Sequence, residues 1–203
     1  MFGKFLPYFS RYIKLLKKHA SDCQSILDLG CGSASPIKYI KVPYSIGVDI
    51  FFSYLKQSKS KRIHTDYIYA DLTNVNFKEK SVDAVFLLHV VEHLNKVDAI
   101  KLIKKSETWG RKKVIIVAPN GYIPQDEYDC NPYQKHLSGW SVEEFESLGY
   151  RVYGVGGLKI FREINISKII KSILYLFTEP FCILYPKLSN NIFAIKVLDH
   201  DTD

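Results

Sequence analysis

Short apolar segments rich in Val, Ile and Leu alternate with segments of helical pattern along this chain of 203 residues. Strands and helices in that alternation build a parallel or mostly parallel sheet that is covered by helices. The predicted strands are residues 25–29, 45–50, 67–70, 82–88, 113–118, 151–155 and 192–198. Such sheets bind ligands beyond the carboxyl ends of their strands, so the residues that follow each strand are the first candidates for a site.

The first strand runs into a turn with two glycines, in the sequence Ile26-Leu-Asp-Leu-Gly-Cys-Gly-Ser-Ala34. Gly30 and Gly32 permit a sharp turn and a close approach of the backbone to a ligand. Residues 35–40 are predicted to begin a helix whose unpaired amides face that ligand. A dinucleotide-binding fold uses the same device, but Ser35 stands where its third glycine is expected.

Acidic residues accompany the glycine turn and the ends of the next two strands. Asp28 would repel a pyrophosphate but suits the ammonium group of a cationic amino-acid moiety. Asp49 ends the second strand, about 20 residues past the glycines, where a carboxylate accepts ribose hydroxyls. Asp71 follows the third strand and can accept from an adenine amino group, with Ile50 and Leu72 in apolar contact with the ring. One such Asp is usually a turn residue, whereas three in succession favour a ligand site.

The stretch from Ile26 to Asn120 resembles the core of class I S-adenosylmethionine-dependent methyltransferases, particularly the branch that acts on small molecules and lipids. Asp28-Leu-Gly-Cys-Gly32 is similar to the first motif of that family. Ser81-Val-Asp-Ala-Val85 is similar to the start of its fourth strand, and His89-Val-Val-Glu-His-Leu94 to the segment after that strand. The resemblance implies a Rossmann-like, doubly wound α/β fold with helices on both faces. Its seven-stranded sheet is mostly parallel, with the last strand antiparallel between the fifth and sixth.

The resemblance also implies S-adenosylmethionine as the cofactor and S-adenosylhomocysteine as the product. The residues expected to bind the cofactor are Asp28, Gly30, Cys31, Gly32, Asp49, Ile50, Asp71, Leu72 and His89. Ala34 stands where the family often has a third glycine, and Ala is small enough to leave cofactor binding intact.

The sequence His89-Val-Val-Glu-His93 also matches the inverted zinc-protease motif. A zinc site would need this motif on a helix and a third ligand further along the chain. Because the motif follows a buried strand, in a methyltransferase-like order of motifs, we expect no bound metal. The resemblance places His89 near the cofactor and Glu92 and His93 at the floor of the pocket. The alternative is that Glu92 and His93 only cap and orient the next helix.

The long loop from Pro119 to Trp140 is predicted to be a lid or a binding loop. His136 is its only histidine and is the candidate general base for an oxygen or nitrogen nucleophile. His93 is the second catalytic candidate. The alternative is that His136 packs beside Trp140 and orders the loop. The predicted substrate pocket consists of Glu92, His93, Asn120, Tyr122 and His136.

Two further segments add to the predicted core, and we treat residues 1–203 as one methyltransferase domain. Residues 5–19 have the pattern of an amphipathic helix with basic residues between apolar ones. Residues 164–188 form an apolar helical insertion before the last strand, which Pro180 is expected to break into two short helices. The insertion cannot span a bilayer. It either packs on the sheet as a hairpin, lies in a membrane interface, caps an apolar pocket or forms a dimer contact.

The composition indicates a globular protein in a reducing compartment. The formal charge of +7 and the pI of about 9.1 favour nucleic acid or acidic lipid headgroups as partners, although an ordinary lysine-rich surface is the simpler interpretation. The four cysteines have no CxxC spacing, and the N-terminus lacks the apolar run of a signal peptide. We therefore predict a cytoplasmic protein, with a peripheral position at the membrane as an option through residues 164–188.

The predicted reaction is transfer of a methyl group from S-adenosylmethionine to an O, N or C nucleophile of a small-molecule or lipid-like acceptor. The protein would act mostly by aligning the reactants and excluding water. One alternative is an RNA or other nucleic-acid methyltransferase, which predicts a salt-sensitive affinity for RNA. The other is a non-catalytic protein that binds S-adenosylmethionine, because its cofactor motifs would be the same.

Overall fold

The computed structural model describes residues 6–198, with side chains from residue 11 onward, and contains a sheet of seven strands. The strands are β1 (Ser25–Leu29), β2 (Tyr44–Asp49), β3 (Asp66–Tyr69), β4 (Val82–Leu88), β5 (Gly110–Pro119), β6 (Arg151–Leu158) and β7 (Ser189–Val197). The α-helices are α1 (Leu6–Ala20), α2 (Phe52–Ser60), α3 (Lys96–Trp109), α4 (Val142–Ser147) and α5 (Lys168–Leu184). Residue 5, with which the predicted first helix begins, lies outside the described residues.

The strand order is β3-β2-β1-β4-β5-β7-β6. The neighbours from β3 to β5 pair in parallel, whereas β7 lies antiparallel between β5 and β6. The order reverses between β1 and β4, and such a switch point opens a crevice at the carboxyl ends of the strands. The predicted fold class, including the inserted antiparallel strand, is confirmed.

The central strands are apolar on both sides because helices cover both faces of the sheet. Every residue of β1 and β4 is buried. One face carries Leu27 and Val85, which pack with the apolar side of α3. The opposite face carries Ile26 and Phe86, which pack with the apolar side of α1. Continuous Val-, Ile- and Leu-rich strands are the pattern expected of a parallel sheet covered in this way.

The segment after β1 differs from the prediction, because it forms a single 3₁₀ turn over Pro36–Tyr39 rather than the start of a longer helix. Ser35 caps this turn, and its hydroxyl accepts a hydrogen bond from Ile37 N. The glycine turn uses the first part of the short connection to β2, and Pro43 precedes that strand directly. The remaining residues suffice for one turn only.

The apolar insertion also differs, because α5 continues through Pro180 as one helix. Pro180 lacks the amide that would bond to the carbonyl of Leu176. Both residues are exposed, so water can satisfy that carbonyl, while the opposite face of α5 buries Tyr175 and Cys182. That face packs closely on β6, where a Cβ at Gly154 would lie 2.3 Å from the carbonyl oxygen of Cys182. Packing on both sides of the proline therefore holds the helix together.

Candidate active site

Two adjoining cavities lie at the carboxyl ends of the parallel strands. The larger has a volume of about 460 Å³ and the smaller of about 320 Å³. Residues common to the walls of both are Gly30, Gly32, His89, His93 and Gln134. The glycine turn and the segment after β4 therefore form the boundary at which the two cavities meet.

The glycine turn adopts the left-handed backbone that its sequence predicts. Gly30 has a φ of +67° and Gly32 a φ of +57°. A Cβ at Gly30 would lie 2.6 Å from Val90 Cγ2, whereas a Cβ at Gly32 would have no atom within 4 Å. Cys31 N donates to the carbonyl oxygen of Val48 at 3.0 Å, and its side chain is buried. Burial raises the pKa of the Cys31 thiol, which makes it unreactive.

Asp28 lies beneath this turn and borders neither cavity. Its Oδ2 accepts a hydrogen bond of 2.5 Å from Ser35 Oγ and lies 2.9 Å from His64 Nε2. Asp28 is 1% exposed and the side chain of His64 is fully buried. The carboxylate therefore holds the turn in place from below. His64 was not among the residues predicted from the sequence. It fits at this position because residue 47 is a glycine: a Cβ on Gly47 would lie 2.8 Å from His64 Nδ1.

Asp49 borders the smaller cavity together with Ile50. Asp49 Oδ2 accepts from Gly32 N and Oδ1 from Phe51 N, each at 2.8 Å. Each oxygen keeps a second lone pair for a ligand hydroxyl. Burial raises the pKa of the Asp49 carboxyl, against the effect of its backbone hydrogen bonds.

Asp71 and Leu72 border the same cavity on the side of β3. Asp71 Oδ1 accepts from Thr73 N at 2.9 Å and from Thr73 Oγ1 at 2.8 Å. This is the local turn geometry expected of an Asp at a strand end. The smaller cavity thus has carboxylates at the ends of two strands and apolar side chains between them, which suits a nucleoside.

The segment after β4 directs His89 and Glu92 into the larger cavity. His89 has a φ of +60°, a strained value for a residue with a side chain. His89 Nδ1 lies 3.1 Å from Glu92 Oε1, while Glu92 Oε2 is buried with no hydrogen-bond partner among the described residues. Burial opposes ionisation of Glu92, but the hydrogen bond to His89 holds the pKa of that carboxyl below its ordinary value.

His93 and His136 lie side by side, with ring centroids 4.8 Å apart. Each ring directs Nδ1 to a backbone carbonyl: His93 to Lys135 O at 3.2 Å and His136 to Ile123 O at 2.7 Å. Burial lowers the pKa of His93. One candidate ligand atom from each of Glu92, His93 and His136 lies within 4.8 Å of the other two. Trp140 stacks on Phe145 instead.

Two predicted pocket residues lie elsewhere. Asn120 is buried, and its Nδ2 donates to the carbonyl oxygens of Pro186, Lys187 and Ser189, so it anchors the start of β7. Tyr122 is 58% exposed and borders neither of the two cavities. The same loop instead supplies cavity residues that the sequence did not single out, namely Ile123, Gln125, Tyr128 and Gln134.

Residues 27–112 match the family model described as a methyltransferase domain. An uncharacterized protein from Methanocaldococcus jannaschii is 29% identical over 129 residues, which are 63% of this chain and 55% of that protein. The chain therefore spans about half the length of that curated relative.

Solved structures of methyltransferases share the fold. An S-adenosylmethionine-dependent methyltransferase from Archaeoglobus fulgidus has a TM-score of 0.58 and 18% identity, covering 91% of this chain and 94% of that one. The plantazolicin methyltransferase in complex with S-adenosylhomocysteine has a TM-score of 0.61 and 17% identity, covering 95% and 85%. A small RNA methyltransferase has a TM-score of 0.63 and 17% identity, covering 95% and 25%. Residues 27–112 are thus similar to a methyltransferase domain, and the chain has the fold of solved S-adenosylmethionine-dependent methyltransferases.

Proposed function

We propose that this protein transfers the methyl group of S-adenosylmethionine to a small-molecule or lipid-like acceptor. The observation that carries the proposal is the contact between two cavities of different character. Asp49 and Asp71 border the smaller cavity alone, and Glu92 and His136 border the larger one alone, whereas His89 and His93 border both. A donor in the first cavity and an acceptor in the second would meet at Gly30, His89 and His93.

The cofactor would lie with its adenosine in the smaller cavity. Asp49 would accept from the ribose hydroxyls, Asp71 from the adenine amino group, and Ile50 and Leu72 would contact the ring. The amino-acid part of the cofactor would cross the glycine turn and reach the larger cavity beside His89. Asp28 would act through Ser35 and the turn rather than by touching the ammonium group, because its carboxylate lies beneath the turn.

Methyl transfer needs the acceptor, the methyl carbon and the sulfonium sulfur in line. A bond forms between the acceptor atom and the methyl carbon as the carbon–sulfur bond breaks, and S-adenosylhomocysteine leaves. Because the sulfonium is a good leaving group, alignment supplies most of what the protein must add. If the acceptor must lose a proton, His136 and His93 are the candidate bases, since each carbonyl-bound Nδ1 fixes Nε2 as the basic atom.

A lipid-like acceptor and a membrane surface are favoured by the outer face of α5. Apolar side chains more than 45% exposed line one side of this helix: Ile169, Ile170, Ile173, Leu176, Phe177, Phe181 and Leu184. A continuous apolar stripe of this size marks an interaction surface. Lys168, the first residue of the helix, is exposed, and so is Lys159 in the 3₁₀ turn after β6. Together with the net charge of +7, these lysines suit anionic headgroups.

No helix among residues 6–198 is long and apolar enough to cross a membrane. We therefore propose contact with one face of a bilayer, with the catalytic domain in the cytoplasm. The four cysteines are free thiols, which suits that reducing compartment.

RNA is the second candidate acceptor. The positive charge favours a polyanion, and a protein of similar fold is described as a small RNA methyltransferase. A third possibility is that the protein binds the cofactor without turnover. Methyl-labelled S-adenosylmethionine incubated separately with lipid extract, with RNA and with small phenols distinguishes the three. Label in the lipid or phenol fraction supports the proposal, label in RNA supports the second candidate, and cofactor binding without label in any fraction supports the third.

A further inference from the structure

We propose that Glu92, His93 and His136 bind a divalent transition-metal cation in the larger cavity, and that the acceptor is a hydroxyl compound whose oxygen binds this cation. This inference rests on the proposed methyltransferase function and narrows its acceptor to oxygen nucleophiles. It replaces our sequence-based expectation that no metal is bound.

The three side chains bring together three atoms that have lone pairs and carry no proton. In a neutral imidazole, the nitrogen that does not carry the proton has a free lone pair. The two rings direct Nδ1 to Lys135 O and Ile123 O, so their lone pairs are on Nε2. The third atom is Glu92 Oε2, which is buried and lacks a partner among the described residues. Leaving such an atom unsatisfied is costly, and a cation bound by all three would remove that cost.

The supporting contacts are those of a metal site that is formed before the metal binds. Histidine ligands commonly donate their second N–H to a backbone carbonyl, which fixes both the tautomer and the ring orientation. Both histidines do so here. The remaining oxygen of Glu92 is held by His89 Nδ1 at 3.1 Å. All three candidate ligands are thus oriented by a second contact of their own.

The backbone joins the two segments that supply the ligands. Leu137 N and Ser138 N donate to the carbonyl oxygen of Glu92 at 2.8 and 3.1 Å. Ser138 Oγ donates to the carbonyl oxygen of Val91 at 3.0 Å. These contacts attach the loop with His136 to the 3₁₀ turn Val91–His93. The site therefore combines Glu92 and His93 of this segment with His136, a residue more than forty positions away along the chain.

The ligand set indicates which cations are suitable. Two imidazoles and one carboxylate suit Zn²⁺, Mn²⁺, Fe²⁺ or Co²⁺ better than Mg²⁺ or Ca²⁺, which prefer oxygen ligands. Three protein ligands also leave at least one position open, as in catalytic rather than structural zinc sites. The cluster borders the larger cavity, so an open position there is accessible to an acceptor.

A bound cation would give this cavity a preference for hydroxyl acceptors. Coordination lowers the pKa of a hydroxyl and orients its oxygen. The oxygen–carbon bond would then form as the carbon–sulfur bond breaks, with the hydroxyl proton released to water. In this arrangement His93 and His136 are ligands, and neither has to act as the base.

The test is calorimetric titration of chelator-treated, tag-free protein with Zn²⁺ and Mn²⁺, and absorption spectroscopy with Co²⁺. We expect one equivalent of bound cation and Co²⁺ d–d bands of a four- or five-coordinate site. Glu92→Gln and His136→Gln should each weaken binding at least about 100-fold, because loss even of an outer partner can cost that much. His19→Gln is the matched control, since His19 lies on α1 away from both cavities.

Binding of S-adenosylhomocysteine is measured on the same samples to separate this proposal from the previous one. Folded wild-type protein that binds S-adenosylhomocysteine but no cation would overturn the metal site alone. Loss of both binding activities would overturn the proposed function as well. The Co²⁺ spectrum of the wild-type protein tests the metal site even if a ligand variant fails to fold. An unchanged cation affinity in folded Glu92→Gln and His136→Gln would place the cation elsewhere and overturn the proposal.

Discussion

The amide of Gly32 donates a hydrogen bond of 2.8 Å to Asp49 Oδ2 and thereby joins the loop after β1 to the end of β2. Asp49 thus has two tasks, because it holds the glycine turn and offers its remaining lone pairs to the smaller cavity. Under the proposed function, the geometry of the turn and the recognition of the cofactor would depend on the same carboxylate.

Asp49→Ala is expected to weaken S-adenosylhomocysteine binding about 10- to 100-fold, because hydrogen bonds to charged groups contribute about 1.5–3 kcal/mol. Asp49→Asn should give an intermediate loss. The side-chain oxygen of Asn can still accept from Gly32 N or Phe51 N, but the side-chain NH₂ group then faces the other of these two donors. Calorimetry measures both, with the exposed Asp126→Ala as the control. An affinity in Asp49→Ala equal to that of the wild type would remove Asp49 from the site.

Gly30→Ala should destabilise the protein more than Gly32→Ala, although both glycines have positive φ. The left-handed backbone costs an alanine about 1–2 kcal/mol at either position. Only the new Cβ at Gly30 also meets Val90 Cγ2, at 2.6 Å, and overpacking adds about 1–3 kcal/mol. Urea denaturation gives the two free energies of unfolding. Adding Val90→Ala to Gly30→Ala should recover part of the loss; no recovery would show that the contact is not the cause.

Asp28 and Ser35 are expected to act as one unit on cofactor binding, because the 2.5 Å hydrogen bond joins the carboxylate to the glycine turn. Asp28→Asn, Ser35→Ala and the double variant form a cycle measured by S-adenosylhomocysteine affinity. We expect the double variant to lose much less than the sum of the single losses. Additive losses would instead favour the direct contact of Asp28 with the ammonium group that the sequence suggested.

Asp83 should make stability depend on pH in the acid range. Burial opposes its ionisation, but hydrogen bonds from Gln24 N at 2.7 Å and Arg111 Nε at 2.9 Å hold the pKa of Asp83 below its ordinary value. The stabilisation is complete above the unfolded pKa of about 4 and is lost as the pH falls through the lower folded pKa.

Asp83→Asn should therefore be less stable than the wild type near neutral pH, by about 1–3 kcal/mol, and the difference should shrink as the pH falls below about 4. Denaturant titrations across that range measure it, with Glu79→Gln, an exposed carboxylate, as the control. A difference that stays constant with pH would mean that the charge of Asp83 is not what stabilises the fold.

The exposed face of α5 should bind anionic vesicles. Phe177 is 72% and Phe181 57% exposed, and Phe177→Ser and Phe181→Ser should each weaken binding about 10-fold, since burying a phenylalanine contributes about 1.5–3 kcal/mol. Phe52→Ser on α2 is the matched control, because Phe52 is 62% exposed. Cosedimentation with phosphatidylcholine vesicles, with and without phosphatidylglycerol, measures the affinity. Absence of binding combined with a dimer in light scattering would assign this face to a second copy of the chain.

The sheet could be predicted from the sequence because its strands are continuous apolar runs that end in glycine, proline or acidic residues. The strands predicted at residues 82–88 and 25–29 have the same bounds as β4 and β1. The antiparallel orientation of β7 was predicted from the family resemblance and not from the residues of the strand. A local pattern also marks the start of α4, where Ser141 and Glu144 form a capping box.

The predictions that failed depended on contacts between distant residues. Pro180 breaks an isolated helix, but packing on β6 maintains α5. Asn120 follows β5 directly, where a pocket residue is expected, but its side-chain amide donates to three backbone carbonyls just before and at the start of β7. His64 and the pairing of His136 with His93 have no signal in local spacing, because the loop from Pro119 to Trp140 has little regular structure and its path is set by the turn on which it packs.

The most direct test of the central claim is calorimetric titration of the wild-type protein with S-adenosylmethionine, followed by displacement with S-adenosylhomocysteine. We expect one equivalent of S-adenosylmethionine to bind with a micromolar dissociation constant, in the range of about 8 kcal/mol of binding free energy, and to be displaced by the product. A folded protein that binds neither compound would contradict the assignment of the smaller cavity to the cofactor, and with it the proposed methyl transfer.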